Sequence, residues 1–207
     1  MLEPTFMRPG KVKDDQMRST KEYLLDEHRV VFLDGVIRDA RCQLCGKAGD
    51  ADSANLLLAL GAHSSEPIKM FITSPGGVVD TAMMIYDTMK LIDAPIITVG
   101  RYCASAAAIL MAAGSERYLW PRAKMMLHLP SGQMMGDAVE LEIQQEEMKK
   151  TQQSLVDALI ECGVKKTPRQ ILKDINREKW FNPTEAIEYG LADEVVTKEL
   201  LRGWLTK

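Results

Sequence analysis

Short apolar runs and helical spacings alternate through most of the chain. Residues 29–35 (RVVFLDG) form an apolar run closed by Asp34-Gly35, which predicts a strand ending in a turn. Residues 69–73 (KMFIT) predict a second strand, closed by Ser74-Pro75-Gly76-Gly77, and residues 96–99 (IITV) a third. Residues 54–60 predict a short helix, and residues 81–91 (TAMMIYDTMKL) place apolar side chains at helical spacing. A buried, alanine-rich helix is predicted over 104–113, with two further short strands at 118–120 and 124–127. Strand and helix in alternation predict an α/β domain built from βαβ units.

Two regions depart from this alternation. Residues 1–21 are polar, carry Pro4, Pro9 and Gly10 and show no apolar period, which predicts an arm ahead of a domain covering 22–207; residues 38–53 read as loop. Residues 137–162 predict one long helix with Leu141, Met148, Leu155 and Leu159 on a thin stripe, while Glu140, Glu142, Gln144, Gln145, Glu146, Lys149 and Gln152 fill the other faces. That stripe is too narrow for a core helix. It suits either a helix projecting into a partner or a solvated surface helix.

Composition narrows the class. The 207 residues are 46% hydrophobic and 27% charged, within the globular range, and the length fits one domain or one with an appended element. Against 29 acidic residues stand 26 Lys and Arg, and the only short basic stretch is 8–13, so no nucleic-acid partner is expected. No apolar run approaches the ~20 residues of a bilayer span; the longest, 103–114, is interrupted by Ser105. The first residues lack a charged head, apolar stretch and small-residue cleavage site, and the expectation is a cytoplasmic protein with no membrane association. Of the four cysteines, Cys42 and Cys45 could form half a zinc site, but no second pair completes it. No metal and no cofactor are expected.

Three segments could carry chemistry. Ser74-Pro75-Gly76-Gly77 follows a strand and precedes a helix, where two glycines let backbone N–H groups approach a ligand; a plain tight turn has the same signature. It is no phosphate loop, because no Gly-Lys-Ser/Thr follows. Ser105 starts an apolar helix behind a strand, which suits an N-cap or a nucleophile at the positive end of a helix. No Gly-x-Ser-x-Gly surrounds it. His128 ends an apolar strand in MMLHLP, whereas the other two histidines, His28 and His63, lie in polar surroundings. It is either a satisfied core histidine or a general base.

Taken in order, these segments resemble the proteolytic subunit of the Clp protease, from roughly Tyr23 to Val196. The resemblance rests on Val31-Phe32-Leu33, Ser74-Pro75-Gly76-Gly77, Ile85-Tyr86-Asp87-Thr88-Met89, Ala104-Ser105, Ala112-Ala113-Gly114, Met126-Leu127-His128-Leu129-Pro130 and Glu185-Ala186-Ile187-Glu188-Tyr189-Gly190-Leu191. It implies a ββα-superhelix of the Clp protease/crotonase type with a protruding handle helix at about 137–162. It implies two stacked seven-membered rings enclosing a chamber for polypeptide substrates, served by an AAA+ ATPase unfoldase. Position by position it implies Ser105 as nucleophile, His128 as general base, and the N–H groups of Gly77 and Ala106 as oxyanion donors. Glu178 falls where the family carries the third, acidic member, usually Asp. Gln133 and Arg177 fall at ring contacts. The chain departs from the family pattern at Glu178, at Ala107 where glycine is common, in its N-terminal segment, and over 38–53.

The expected activity is therefore serine endopeptidase. The alternatives are a weakly active or non-catalytic ring subunit, for which Glu178 argues, and a crotonase-like acyl-CoA enzyme, which would not need Ser105 and His128 together. A membrane-associated signal-peptide peptidase relative is disfavoured by the lack of a spanning segment.

Overall fold

The computed structural model describes residues 19–38, 51–62 and 64–205. Most of the expected arm (residues 1–18), the loop bearing Cys42 and Cys45, and His63 lie outside these residues. Helix α1 (Thr20–His28) has no buried residue and no apolar stripe, which is why periodicity does not announce it. Its signal is a capping box, with Ser19 accepting from the Glu22 N–H and Glu22 reaching back to the Ser19 N–H. Arg29 ends it in a left-handed turn (φ 52°) and leads straight into β1 (Val30–Asp34).

Four parallel strands lie side by side in chain order: β1, β2 (Ile68–Ser74), β3 (Ile96–Ala104) and β4 (Glu116–Leu127). Helices α2 (Ala51–Ala62), α3 (Val79–Leu91) and α4 (Ala106–Ala112) make the crossovers that parallel pairing requires. Leu33, Met70, Ile72, Ile85, Leu110 and Met125 are fully buried in the core so formed. The far side of β4 pairs with β5 (Lys179–Phe181), antiparallel, and with β6 (Glu194–Val195), parallel. This is the expected α/β class.

Two expectations are corrected. The short strands at 118–120 and 124–127 are one strand, β4. The ladder to β3 slips in its middle, so that Leu119 pairs with Gly100 and Lys124 with Tyr102. Pro121, which lacks an N–H to donate, sits in that slip, where no ladder bond is lost. The third strand also continues past Val99 to Ala104, and the helix starts at Ala106 instead of 104. Gly100 permits this passage: a Cβ there would lie 2.8 Å from Cys103 Sγ and 2.8 Å from Met111 Sδ. Ser105 is thereby left as the single residue between strand and helix.

Helix α5 (Ala138–Glu161) starts from an Asp137–Glu140 capping box. Only its last turns pack: Leu155, Val156, Ala158 and Leu159 are buried, while Val139 and Ile143 are 64% and 59% exposed. The helix projects, and its exposed half is not simply polar. Helices α6 (Pro168–Asp174) and α7 (Pro183–Tyr189) follow, and Arg117 on β4 ties this part to the sheet. Its guanidinium donates to the carbonyls of Cys162 and Gly190, at the C-terminal ends of α5 and α7, and pairs with Asp193. Carbonyls at helix ends have no partner of their own, so a cation there is doubly favoured. Helix α8 (Lys198–Leu205) lays Trp204 against Phe71 and Tyr118 on the opposite face of the sheet, over Ile97 and Val99. No helix among the described residues is long and apolar enough to cross a membrane.

Candidate active site

The site is assembled by the C-terminal ends of β2, β3 and β4. At the end of β3, Ser105 adopts φ 55° and ψ −129°, a conformation that non-glycine residues rarely hold and that costs about 1–3 kcal/mol. Its N–H donates to the Met126 carbonyl at 2.8 Å and its carbonyl accepts from Ala108 at 2.9 Å, so ladder and helix hold the turn from both sides. The Ser105 hydroxyl makes no capping bond to α4. It lies 2.7 Å from His128 Nε2 instead. The cap and core-histidine readings therefore give way to a paired hydroxyl and imidazole. The sharp strand-to-helix turn has the shape of a nucleophile elbow, without the Gly-x-Ser-x-Gly sequence.

His128 reaches Ser105 because of register. Ala104 pairs with Met126 across the parallel ladder, so residue 128 lies immediately beside the turn that follows Ala104. Half-buried, the ring sits at the end of a strand whose last residues, Met125 to Leu127, are buried. The next peptide is fixed as well: the Leu129 N–H donates to the Ile175 carbonyl at 3.0 Å.

The glycine loop closes the third side. Ser74 is fully buried and its hydroxyl accepts from the Gly76 N–H at 3.1 Å, which shapes the turn. Gly76 (φ 88°) lies flat against the serine, since a Cβ there would come within 2.6 Å of the Ala104 oxygen and 2.8 Å of Ser105 Cβ. Gly77 bridges Ile37 through its neighbours: the Ile37 N–H donates to Gly76 O and the Val78 N–H to Ile37 O. In a parallel bridge of this kind the Gly77 N–H points away from Ile37. The Ala106 N–H, in the first position of α4, has no carbonyl one turn earlier to bond. Ser74 is legible in the sequence as a serine two residues before a glycine; Ile37 has no sequence signal.

The acid is the exception. Glu178 is exposed, and its carboxylate accepts from the Trp180 indole N–H at 3.1 Å; the His128 contact expected for it is not formed. Asp174, the other nearby acid, is committed elsewhere. It accepts from Tyr189 Oη at 3.1 Å and pairs with Lys179 Nζ at 3.0 Å. Partial burial opposes its ionisation, but those two donors outweigh it and hold the carboxyl below the ordinary range. Arg177 and Gln133 are both exposed. Gln133 lines a groove of about 350 Å³ between the segment after His128 and α5, with Val79, Pro130, Ile143, Met148 and Thr151. Among the described residues no group of three His, Cys, Asp or Glu side chains could hold a metal ion.

A serine on an imidazole, beside a glycine turn and the first N–H of a helix, is the arrangement of a serine hydrolase. The Clp protease family model matches residues 13–199. The chain belongs to the Clp protease family, and with it to the serine peptidases. It is 35% identical over 176 residues to the ATP-dependent Clp protease proteolytic subunit 4, chloroplastic, of Arabidopsis thaliana, covering 84% of this chain and 58% of that protein. It is 36% identical over 183 residues to proteolytic subunit 1 of Corynebacterium jeikeium, covering 86% of this chain and 92% of the relative. With the proteolytic subunit of Carsonella ruddii it shares 32% identity over 192 residues, covering 91% and 93%. These relatives do not favour the acyl-CoA alternative.

Proposed function

We propose that the protein is a serine endopeptidase that cleaves unfolded polypeptides or peptides inside a chamber built from its own copies. The 2.7 Å contact between Ser105 Oγ and His128 Nε2 carries this reading. Ser105 attacks the scissile carbonyl while His128 takes its proton. The oxyanion that forms is held by the N–H groups of Gly77 and Ala106, each worth about 3–4 kcal/mol of barrier. His128 then returns the proton to the leaving amine, and water releases the acyl group by the same steps in reverse order of partners. The groove past Pro130, which shares Val79 and Pro130 with the pocket around Ser105 and His128, receives a substrate side chain.

Assembly is supported by α5. Val139 and Ile143 on the projecting helix are 64% and 59% exposed and Met135 just before it is 81% exposed, an apolar surface that a second copy would cover. Two stacked seven-membered rings, with Gln133 and Arg177 at their contacts, follow from the family resemblance. So does an ATP-driven unfoldase as partner. The relatives' names carry the ATP dependence.

A second reading is favoured by one observation, the Glu178 carboxylate on Trp180: a ring subunit of low intrinsic activity. Reaction with a fluorophosphonate tests both. Covalent labelling at Ser105, abolished by Ser105→Ala, supports the peptidase; no labelling of assembled protein contradicts it.

A further inference from the structure

We propose that Trp180 is a positioning residue that sets the catalytic rate by holding Glu178 away from His128. The inference deepens the peptidase reading above and rests on it. Strands β4 and β5 pair antiparallel with Met126 opposite Trp180 and Leu127 opposite Lys179. One residue past each strand stand His128 and Glu178, where the Leu129 N–H has already turned to the Ile175 carbonyl. Continuing the alternation of side chains by that one residue puts Glu178 on the face of Trp180 and His128 on the face of Met126, which are the same face of the ladder. Cross-strand neighbours stand ~5 Å apart at Cβ, which is within the reach of a glutamate carboxylate. Glu178 is therefore placed to meet the imidazole, yet its Oε2 takes the Trp180 Nε1–H at 3.1 Å.

The indole is itself fixed in the position that catches the acid. Its ring packs on Tyr102, centroids 6.2 Å apart, and Tyr102 stands on β3 just before the nucleophile turn. Trp180 is 46% exposed, so its N–H could be served by water without Glu178. The carboxylate thus has two donors on one face, the indole N–H and the imidazole N–H. Only the second helps the reaction, by orienting the ring and stabilising the imidazolium that forms. The competition is a matter of side-chain length. An aspartate at 178 falls short of the indole, while the facing histidine stays close.

Replacing the donor should release the acid. Trp180→Phe keeps a ring for Tyr102 and removes the N–H. In the assembled protein it is expected to raise kcat for a fluorogenic peptide, and the rate of Ser105 labelling by a fluorophosphonate, by about tenfold, with KM unchanged. The gain should vanish when Glu178→Gln is added, and should be absent in a Glu178→Asp background, which is already fast. Should Trp180→Phe fail to assemble, Glu178→Asp alone carries the test, with the same rise in kcat expected. Labelling at Ser105 that is unchanged or slower in Trp180→Phe, or in Glu178→Asp where only that variant assembles, overturns the positioning role and leaves the peptidase reading standing. A rise in Trp180→Phe that survives Glu178→Gln overturns it too. Absence of Ser105 labelling in wild type and every variant overturns both.

Discussion

Gly76 packs so closely against Ser105 that a single added carbon would stand 2.8 Å from the serine Cβ. The strained serine turn and the glycine turn are thus one construction, in which each fixes the other. Gly76→Ala, at φ 88° and against the backbone oxygen of Ala104, must push the two turns apart. The expected result is a loss of at least ~100-fold in kcat, since displacements of about 1 Å at a reacting centre cost that much. Peptide hydrolysis by assembled Gly76→Ala protein checks this, and near-normal kcat contradicts it.

Glu178 yields a prediction by chain length and charge. Glu178→Gln leaves His128 without an anionic partner in any conformer and should cost activity; Glu178→Asp should exceed the wild type. Steady-state kinetics of the two variants side by side measure it. Equal losses in both would remove Glu178 from the reaction.

Arg177 is exposed next to the acid, and the family resemblance sets it at the contact between rings. Arg177→Glu is expected to halve the particle mass in solution and lower peptidase activity together. Analytical ultracentrifugation with an activity assay on the same sample reads both. Full-size particles with normal activity contradict the coupling.

Arg117 is a stability prediction. Arg117→Met leaves the Cys162 and Gly190 carbonyls without their donor and Asp193 without its ion pair, for an expected loss of about 2–4 kcal/mol in denaturant unfolding. The Asp193 carboxyl is held below its usual range, first by its hydrogen bond from Arg117, against some burial. A depressed folded value means stability present above the unfolded carboxylate pKa of about 4 and lost as pH falls through the folded one. The part of the wild type's advantage over Arg117→Met that comes from Asp193 should therefore shrink as pH falls below about 4, while the part from the two carbonyls stays.

Much of this was legible in residue order, for definite reasons. The parallel strands show as apolar runs because both their faces are covered, and the glycine turn shows because a positive φ demands glycine at position 76. The N-terminal helix was not legible, since its stability comes from the Ser19–Glu22 cap and not from an apolar face. The continuity of β4 through Pro121 was hidden because it depends on a register slip against Gly100, a relation between distant residues. Ser105 and His128 could be proposed separately, but the 2.7 Å contact that joins them comes from pairing of Ala104 with Met126. The direction of Glu178 is set by Trp180 and Tyr102, side-chain partners that no spacing rule reports.

The peptidase chemistry turns on Ser105 as its nucleophile. Hydrolysis of an unstructured peptide by purified wild-type protein and by Ser105→Ala, each at matched particle mass, tests it most directly. Measurable wild-type cleavage and a fall of several decades in the variant are expected, with assembly unchanged. Cleavage by Ser105→Ala at the wild-type rate would contradict it.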